Sequence, residues 1–237
     1  MDERQNSYFY NMRKFHNNIK RSMYNKYAKN KSILDLACGK LGDLHKWKSC
    51  NVNRVIGYDI NSESIKEGKK RLLEYPKKFQ DKIMLNVLDL TKESIVLSEK
   101  VDVVSCMFAF HYFILDLDII LKSIKNNLKK GGYFIGCCFD GDKVKNRLKG
   151  NFDDLNFNIK CIESKSISVL LKETVLDTPE NEYLVDFKEI CIKMEKYGLK
   201  LIEFVPFDKF NYDKFDLSET ERDVSFLNVL FIFKLLE

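Results

Sequence analysis

Residues 33–43, ILDLACGKLGD, decide the fold. The stretch opens on a short apolar run, Ile33-Leu34-Asp35-Leu36, with the pattern of a buried strand. It breaks at Ala37-Cys38-Gly39, where small residues let the backbone come close to a ligand, and re-enters helix-like sequence near Asp43-Leu44. Strand, glycine turn and helix in that order form the first βα unit of a nucleotide-binding sheet. The spacing is neither GxGxxG nor GxxxxGKS/T, so the turn need not cradle phosphate. It suits a ligand with an adenosine and no phosphates, of which S-adenosylmethionine is the commonest.

Working outward, apolar runs and amphipathic stretches alternate. Strands are expected over 33–37, 54–58, 83–87, 101–105 and 133–139. Helices are expected from 43, over 62–74 with Ser62 as cap, over 92–97, and over 115–128, closed by Lys129-Lys130-Gly131-Gly132. Upstream, Phe9, Met12, Ile19, Met23 and Tyr27 recur at helical spacing and predict one helix over 8–27. The alternation lapses over 140–186, an insertion with a hairpin expected around Ser164-Lys165 and placed to build a lid or substrate wall. A helix over 187–197 and strands over 199–205 and 227–235 close the chain as a reversed hairpin at one sheet edge. The fold class is α/β: seven strands, mostly parallel, covered on both faces.

At 237 residues the simplest organisation is one domain, with 1–31 as an N-terminal helical segment. Forty Lys and Arg against 35 Asp and Glu leave a net charge of +5, mild enough to suit an anionic ligand without naming one. No apolar run approaches the ~18 residues of a membrane span, and the first residues, MDERQNSYFYNMRK, carry no secretory pattern. The seven cysteines are scattered without a CxxC pair. They read as reduced thiols in an intracellular protein, nuclear or cytoplasmic, and no metal site is expected.

Ligands of open α/β sheets sit outside the carboxyl ends of the strands. Asp35 lies within the first strand, and Asp59 and Asp89 end the second and third. Asp59 falls about 20 residues beyond the glycine turn, the offset at which a carboxylate takes a vicinal ribose diol. Asp89 is placed to accept from an adenine amino group. Strand-ending aspartates also cap helices and shape turns, and it is their succession that favours the cofactor. Beyond the fourth strand, Phe108-Ala109-Phe110-His111-Tyr112-Phe113 brings aromatics and one histidine over the active face, where rings can stack on a flat base. A histidine among aromatics is more often simply packed, but His111 also has donors and acceptors for a base edge. Lys40, Lys46 and Arg71 are either surface charge or counter-charges for a phosphorylated substrate. Glu182, inside the insertion, is either simply exposed, as most glutamates are, or a carboxylate able to take both N–H edges of a guanine.

These segments resemble the mRNA cap (guanine-N7) methyltransferases of eukaryotes and their viruses. RKFHNNIK at 13–20 resembles the family's N-terminal RNFNNWxK helix, and LDLACGKLGDLHKWK at 34–48 its LDLGCGKGGDLxKW block. VSCMFAFHYF at 104–113 is similar to xSCQFxxHYxF, GGYFIG at 131–136 matches directly, and ENEYLVDF at 180–187 resembles PEFLVxF. The resemblance runs nearly end to end. It implies a class I S-adenosylmethionine-dependent methyltransferase of Rossmann-like fold that transfers methyl to N7 of the guanine cap of mRNA. Lys20, Ala37, Gly39, Asp59, Asp89, Met107 and Tyr112 fall on its cofactor positions. Asn17, Lys40, Lys46, Arg71, His111 and Glu182 fall on substrate positions, with His111, Tyr112 and Glu182 positioning the guanine. The implied partners are 5′-capped RNA and other capping enzymes, triphosphatase and guanylyltransferase. Departures from the pattern are His16 for the first paired asparagine, Ala37 and Leu41 for loop glycines, Met107 for a glutamine, and Asn228 for a cap-contacting tyrosine. Guanine N7 carries a lone pair and no proton, so no acid–base catalyst is expected. The alternatives are a small-molecule methyltransferase, with no use for Lys40, Lys46 and Arg71, and a non-catalytic or partner-dependent cap- or RNA-binding module on the same fold.

Overall fold

The computed structural model describes residues 7–149, 157–163, 165–172 and 178–236. The first helix, α1 (Tyr10–Tyr27), buries Met12, Phe15, Ile19 and Met23, a spacing of three and four that puts one stripe on the core. The βα alternation follows as β1 (Ser32–Leu36), α2 (Leu44–Ser49), β2 (Arg54–Asp59), α3 (Ser62–Leu72), α4 (Lys77–Gln80), β3 (Ile83–Val87) and β4 (Val101–Met107). A 3-10 turn at Phe110–Phe113 leads into α5 (Leu117–Asn127), β5 (Leu128–Phe139) and α6 (Gly141–Arg147). Next come β6 (Phe157–Glu163), β7 (Ser166–Leu171) and β8 (Glu180–Tyr183). The chain ends through α7 (Phe187–Lys196), β9 (Leu199–Pro206), α8 (Glu219–Phe226) and β10 (Asn228–Leu235).

Seven strands form one sheet in the order β3-β2-β1-β4-β5-β10-β9. The first five are parallel, and β10 runs antiparallel to both β5 and β9. The order reverses between β1 and β4, so a crevice opens at their carboxyl ends. Leu34, Leu36 and Val104 feed a cluster with α5 and α7 on one face; Ile33, Val55 and Val103 feed another with α1 and α2 on the opposite face. Gly136, last residue of GGYFIG, sits where a Cβ would run into the Phe231 ring at 2.3 Å and Cys106 O at 2.6 Å, so β5 and β10 approach only because the side chain is absent.

A separate three-stranded antiparallel sheet, β6-β7-β8, carries its own apolar cluster. Phe9 and Met12 near the start of α1, Val144 of α6, and Val224 and Leu227 around α8 pack into it. The second sheet is thereby fixed to the first helix and to the end of the chain.

Several local expectations are corrected. No helix forms over 92–97: the Ile95 and Leu97 N–H groups donate to Ser123 Oγ (2.9 Å) and Asn127 Oδ1 (2.7 Å) on α5. Asn127 Nδ2 returns a bond to Ile95 O (2.8 Å), so tertiary partners satisfy this backbone in place of a helical ladder. The cap of α3 is Asn61, whose side chain accepts from Ser64 N, and not Ser62. The lysines and glycines after α5 belong to β5, because Leu128 is already extended and pairs with Val101. The hairpin of β6 and β7 stands where expected, though Ser164 of its turn lies outside the described residues. The elements α4, α6, β8 and α8 were not expected from the sequence.

Candidate active site

The carboxyl ends of β1 and β2 are shaped by backbone conformation. Ala37, Gly39 and Leu41 all have φ between +51° and +58°, the left-handed region that favours glycine. The space where a Cβ of Gly39 would point is empty out to 4 Å. Asp59 is held by two backbone donors: Gly39 N–H to Oδ2 at 2.7 Å and Asn61 N–H to Oδ1 at 2.8 Å. Each oxygen keeps a second lone pair, so the carboxylate is fixed in place yet still able to accept from a pair of hydroxyls. Asp89 is likewise held, by Thr91 N–H (3.0 Å) and Thr91 Oγ1 (2.6 Å), with Lys92 3.0 Å from its other oxygen. Met107 ends β4 and packs with the α1-side cluster. A glycine turn open to its surroundings, beside an anchored carboxylate and with no phosphate loop, fits an adenosine-bearing cofactor such as S-adenosylmethionine.

Beneath this rim lies a buried charge cluster. Asp43 accepts from Lys20 Nζ at 2.6 Å, pairs with Lys46 Nζ at 2.8 Å and takes the Tyr24 hydroxyl at 3.3 Å. Burial opposes the Asp43 charge, but the two lysines outweigh it and pull the carboxyl down to about 2. Burial works against the Lys20 ammonium as well, and Asp43 overcomes it, raising the pKa. For Lys46 burial prevails and the pKa falls. Only 3% of Lys46 is exposed, it also reaches Gly42 O at 3.3 Å, and it does not line the cleft. The expectation that Lys46 faces phosphates therefore does not fit its placement: it is held inward by Asp43. Asp35, bonded to Ser105, is pushed up to about 8, by burial first and by Asp43 second.

Above the cluster a cleft of about 630 Å³ opens between α1, the 3-10 turn, β8 and the start of β10. Asn17, Lys20, Lys40, Arg71, His111, Tyr112 and Glu182 all line it, so seven of the residues singled out in the sequence meet there. Ala37, Gly39, Asp59, Asp89 and Met107 stay outside that lining, along the ends of β1 to β4. Lys40 and Arg71 share one counter-ion, each 2.8 Å from a different oxygen of Glu67, and Arg71 also donates to Lys40 O at 3.2 Å. His111 and Glu182 are both buried, with Nε2 and Oε1 3.5 Å apart, too long for a good hydrogen bond. His111 Nε2 has no partner among the described residues. Burial drives both toward neutrality: His111 falls to about 3, and Glu182, with Glu180 adding a like charge, rises to about 7. At neutral pH His111 is uncharged, so the two are polar groups facing the cleft and not an ion pair. Tyr112 lies beside them with its ring centroid 4.0 Å from that of His111, and its hydroxyl donates to Glu180 Oε2 at 3.0 Å.

Two of the departures, His16 and Asn228, also fall on this cleft. His16 lines it, bonds Ser225 Oγ at 2.9 Å and stacks on Phe108 with centroids 5.2 Å apart. Burial, with Lys20 second, lowers His16 to about 3 and keeps it neutral. Asn228 donates to Val224 O and Ser225 O, each at 3.2 Å, and so closes the end of α8. Sequence reasoning passed over Asp43, Glu67 and Glu180. Glu67 carried a signal in its i, i+4 spacing to Arg71; Asp43 and Glu180 acquire their roles only from contacts across the fold.

The seven-stranded order with a reversed β10, and a glycine turn facing an anchored aspartate, define a Rossmann-like S-adenosylmethionine-dependent methyltransferase fold. A putative methyltransferase of that class from Listeria monocytogenes shares it at a TM-score of 0.70 and 16% identity, over 95% of this chain and 99% of that one. A second, from Clostridium acetobutylicum, aligns at 0.61 and 19% identity, over 98% of this chain and 94% of that one. More narrowly, the mRNA (guanine-N(7))-methyltransferase domain profile matches residues 1–227, and the chain belongs to that family. The mRNA cap guanine-N(7) methyltransferase of Eremothecium gossypii is 28% identical over 84% of this chain and 54% of its own length. That of Caenorhabditis briggsae is 34% identical over 64% and 46%. The chain thus spans about half the length of these curated relatives. Among the described residues no helix is long and apolar enough to cross a membrane.

Proposed function

We propose that this chain transfers the methyl group of S-adenosylmethionine to N7 of the guanine cap of mRNA. The observation that carries the reading is one cleft holding both halves of a cap site. Buried, uncompensated His111 and Glu182 supply a base edge, and Lys40 and Arg71 supply counter-charge for phosphates. Membership of the family supports the same conclusion. Residues 1–237 are read as one methyltransferase domain, with the second sheet of the 140–186 insertion as a substrate wall.

Asp59 would hold the ribose hydroxyls, Asp89 the adenine, and Ala37 and Gly39 the close approach of backbone to the cofactor. Lys20 and Met107 would line its other end, and Tyr112 would lie between cofactor and base. When bound, S-adenosylmethionine supplies a methyl group already activated on a sulfonium sulfur. The chain's own task is positioning. Glu182, ionised, accepts from the two N–H groups on the guanine edge, and His111 and Tyr112 fix the plane of the base. Asn17, Lys40 and Arg71 orient the ribose and phosphates. Because N7 has no proton to remove, no side chain need act as acid or base, and orientation alone can lower the barrier by roughly 7–11 kcal/mol in favourable cases. The methylated base is cationic, so carboxylates near it favour the product and the transition state leading to it. RNA binding and association with triphosphatase or guanylyltransferase subunits belong to the same proposal.

The test is transfer of labelled methyl to RNA with a 5′-GpppA or GpppG end, followed by nuclease digestion. Label recovered in 7-methylguanosine of the cap supports the reading. Label in an internal nucleoside, or in a free nucleoside in preference to a capped end, sinks it.

A further inference from the structure

We propose that Glu180 is a positioning residue for the guanine site: it holds Tyr112 by its hydroxyl and sets a second carboxylate on the same strand as Glu182. This rests on the cap-methyltransferase reading of the cleft. Glu180 and Glu182 are two residues apart on β8, so their side chains leave the strand on one side. The ladder agrees, since Val169 and Ile167, also two apart on β7, are their partners. Glu180 Oε2 accepts from the Tyr112 hydroxyl at 3.0 Å. Glu182 Oε1 lies 3.5 Å from His111, the neighbour of Tyr112. Two carboxylates of one short strand thus engage two adjacent rings of one 3-10 turn.

The arrangement does two things. A tyrosine ring 41% exposed at a cleft wall has freedom to swing, and a hydrogen bond to a charged acceptor removes it. The charge of Glu180 also acts on its neighbours: it is the second cause, after burial, raising both Glu182 and Tyr112. The ionisable groups around Glu182 are His111 and Tyr112 on the turn, Cys138 on β5 and Glu180 itself, with Arg13, Lys20, Lys40 and Arg71 elsewhere in the cleft. Burial keeps His111 neutral and pushes the Cys138 thiol up, and among these nearest groups it is Glu180 whose like charge raises Glu182. Glu180 therefore adds to burial in raising Glu182 toward its neutral form in the absence of a ligand.

Three variants separate these roles: Glu180→Gln, which keeps an acceptor for Tyr112 but no charge, Glu180→Ala, and Tyr112→Phe. The first readout needs no activity: the carboxyl carbon of Glu182 in 13C-glutamate-labelled protein, assigned by its loss in Glu182→Gln, is titrated without ligand. In Glu180→Gln its midpoint should fall by about one unit, as expected on removing a like charge at close range. The second is kcat/KM on capped RNA. Glu180→Ala and Tyr112→Phe should each lose about tenfold, and the double variant no more than either alone, because both remove one hydrogen bond. Glu180→Gln should retain most of that tenfold. An unmoved Glu182 midpoint, or losses that multiply in the double variant, overturns the proposal. If the wild-type chain transfers no methyl to capped RNA, the functional reading fails separately, and the Glu182 titration still decides whether Glu180 acts on its neighbours.

Discussion

The strand-end rim and the cleft wall lie side by side, and they are built on opposite principles. At the rim, Asp59 is already locked by Gly39 N–H and Asn61 N–H, and the loop conformation is set by three positive φ angles. At the wall, His111 has an unpartnered ring nitrogen and Glu182 is held near neutrality by burial. The rim is preformed by backbone, and a ligand adds bonds to it. The wall is a set of polar side chains deprived of water, and a ligand completes them. Changes at the rim should therefore act on cofactor affinity and show little pH dependence, whereas changes at the wall should act on the capped substrate and depend steeply on pH.

The largest effect is expected at the rim. Asp59→Ala removes the diol acceptor and frees the Gly39 and Asn61 amides together. Affinity for S-adenosylmethionine, measured calorimetrically, should fall about 100-fold or more, the scale of losing two charge-assisted hydrogen bonds. The loss should be nearly the same at pH 6.5 and pH 8. Retention of full affinity would remove Asp59 from the ribose site.

At the wall, Glu182→Gln should weaken capped RNA by roughly 10–100-fold while leaving cofactor affinity intact. In the wild type, the accepting carboxylate forms as pH rises through about 7, so kcat/KM should climb from pH 6 to pH 8, and the variant should flatten that limb. Stability should move the other way. The carboxyl titrates near 7 when folded and near 4.3 when unfolded, so its stabilising contribution is whole below about 4.3 and is lost as pH rises to 7. Glu182→Gln should accordingly melt higher than the wild type at pH 8, with the advantage shrinking toward pH 4. A variant more stable yet less active is what a ligand-completed wall requires. A sloping limb that survives in Glu182→Gln would assign the titration to another group.

The contrast also explains what was legible in the sequence. The short apolar runs of β1, β2, β4 and the second half of β5 announce buried strands because burial on both faces favours apolar residues along the strand. The rim was legible for a related reason, since backbone conformation leaves local marks in small residues and strand-ending aspartates. The wall was less so. Strand β8, Glu-Asn-Glu-Tyr, has no strand pattern, and its partner β7 makes it a strand. The missing helix over 92–97 is the same failure reversed: helix-like residues whose N–H groups are taken by Ser123 and Asn127. Helix α8 did carry a readable signal, the Ser218-to-Glu221 capping box, which its short, mostly polar sequence hid.

Between rim and wall stand Lys40 and Arg71, tied to Glu67. Both are partly exposed, so their contribution is modest. Arg71→Ala should reduce affinity for GpppG about fivefold and leave guanosine binding unchanged, and the difference should shrink at high salt. Equal losses for GpppG and guanosine would place Arg71 at the base and not at the phosphates.

The smallest effect tests how the rim tolerates Leu41, the bulkiest of its left-handed residues. Leu41 has φ +58° and only 2% exposure. Its side chain fills the space over Gly68 of α3, where a Cβ would stand 2.8 Å from Leu41 Cγ and 3.3 Å from Cδ1. The leucine at a glycine-like position and the glycine in mid-helix thus form a matched pair. In the wild-type background Gly68→Ala should destabilise, because the new methyl meets a buried branch point that cannot swing aside. In a Leu41→Gly background the obstruction is gone, and the same change should stabilise by about 1 kcal/mol, the ordinary helical advantage of alanine over glycine. Leu41→Gly alone should still lower the melting temperature, since relief of backbone strain is smaller than the packing lost from the α1-side cluster. The reversal in sign of Gly68→Ala between the two backgrounds, read from thermal or urea unfolding, is the discriminating result. If Gly68→Ala has the same sign in both, the rim does not owe its shape to this pair, and Leu41 must be accommodated by a shift of the loop itself.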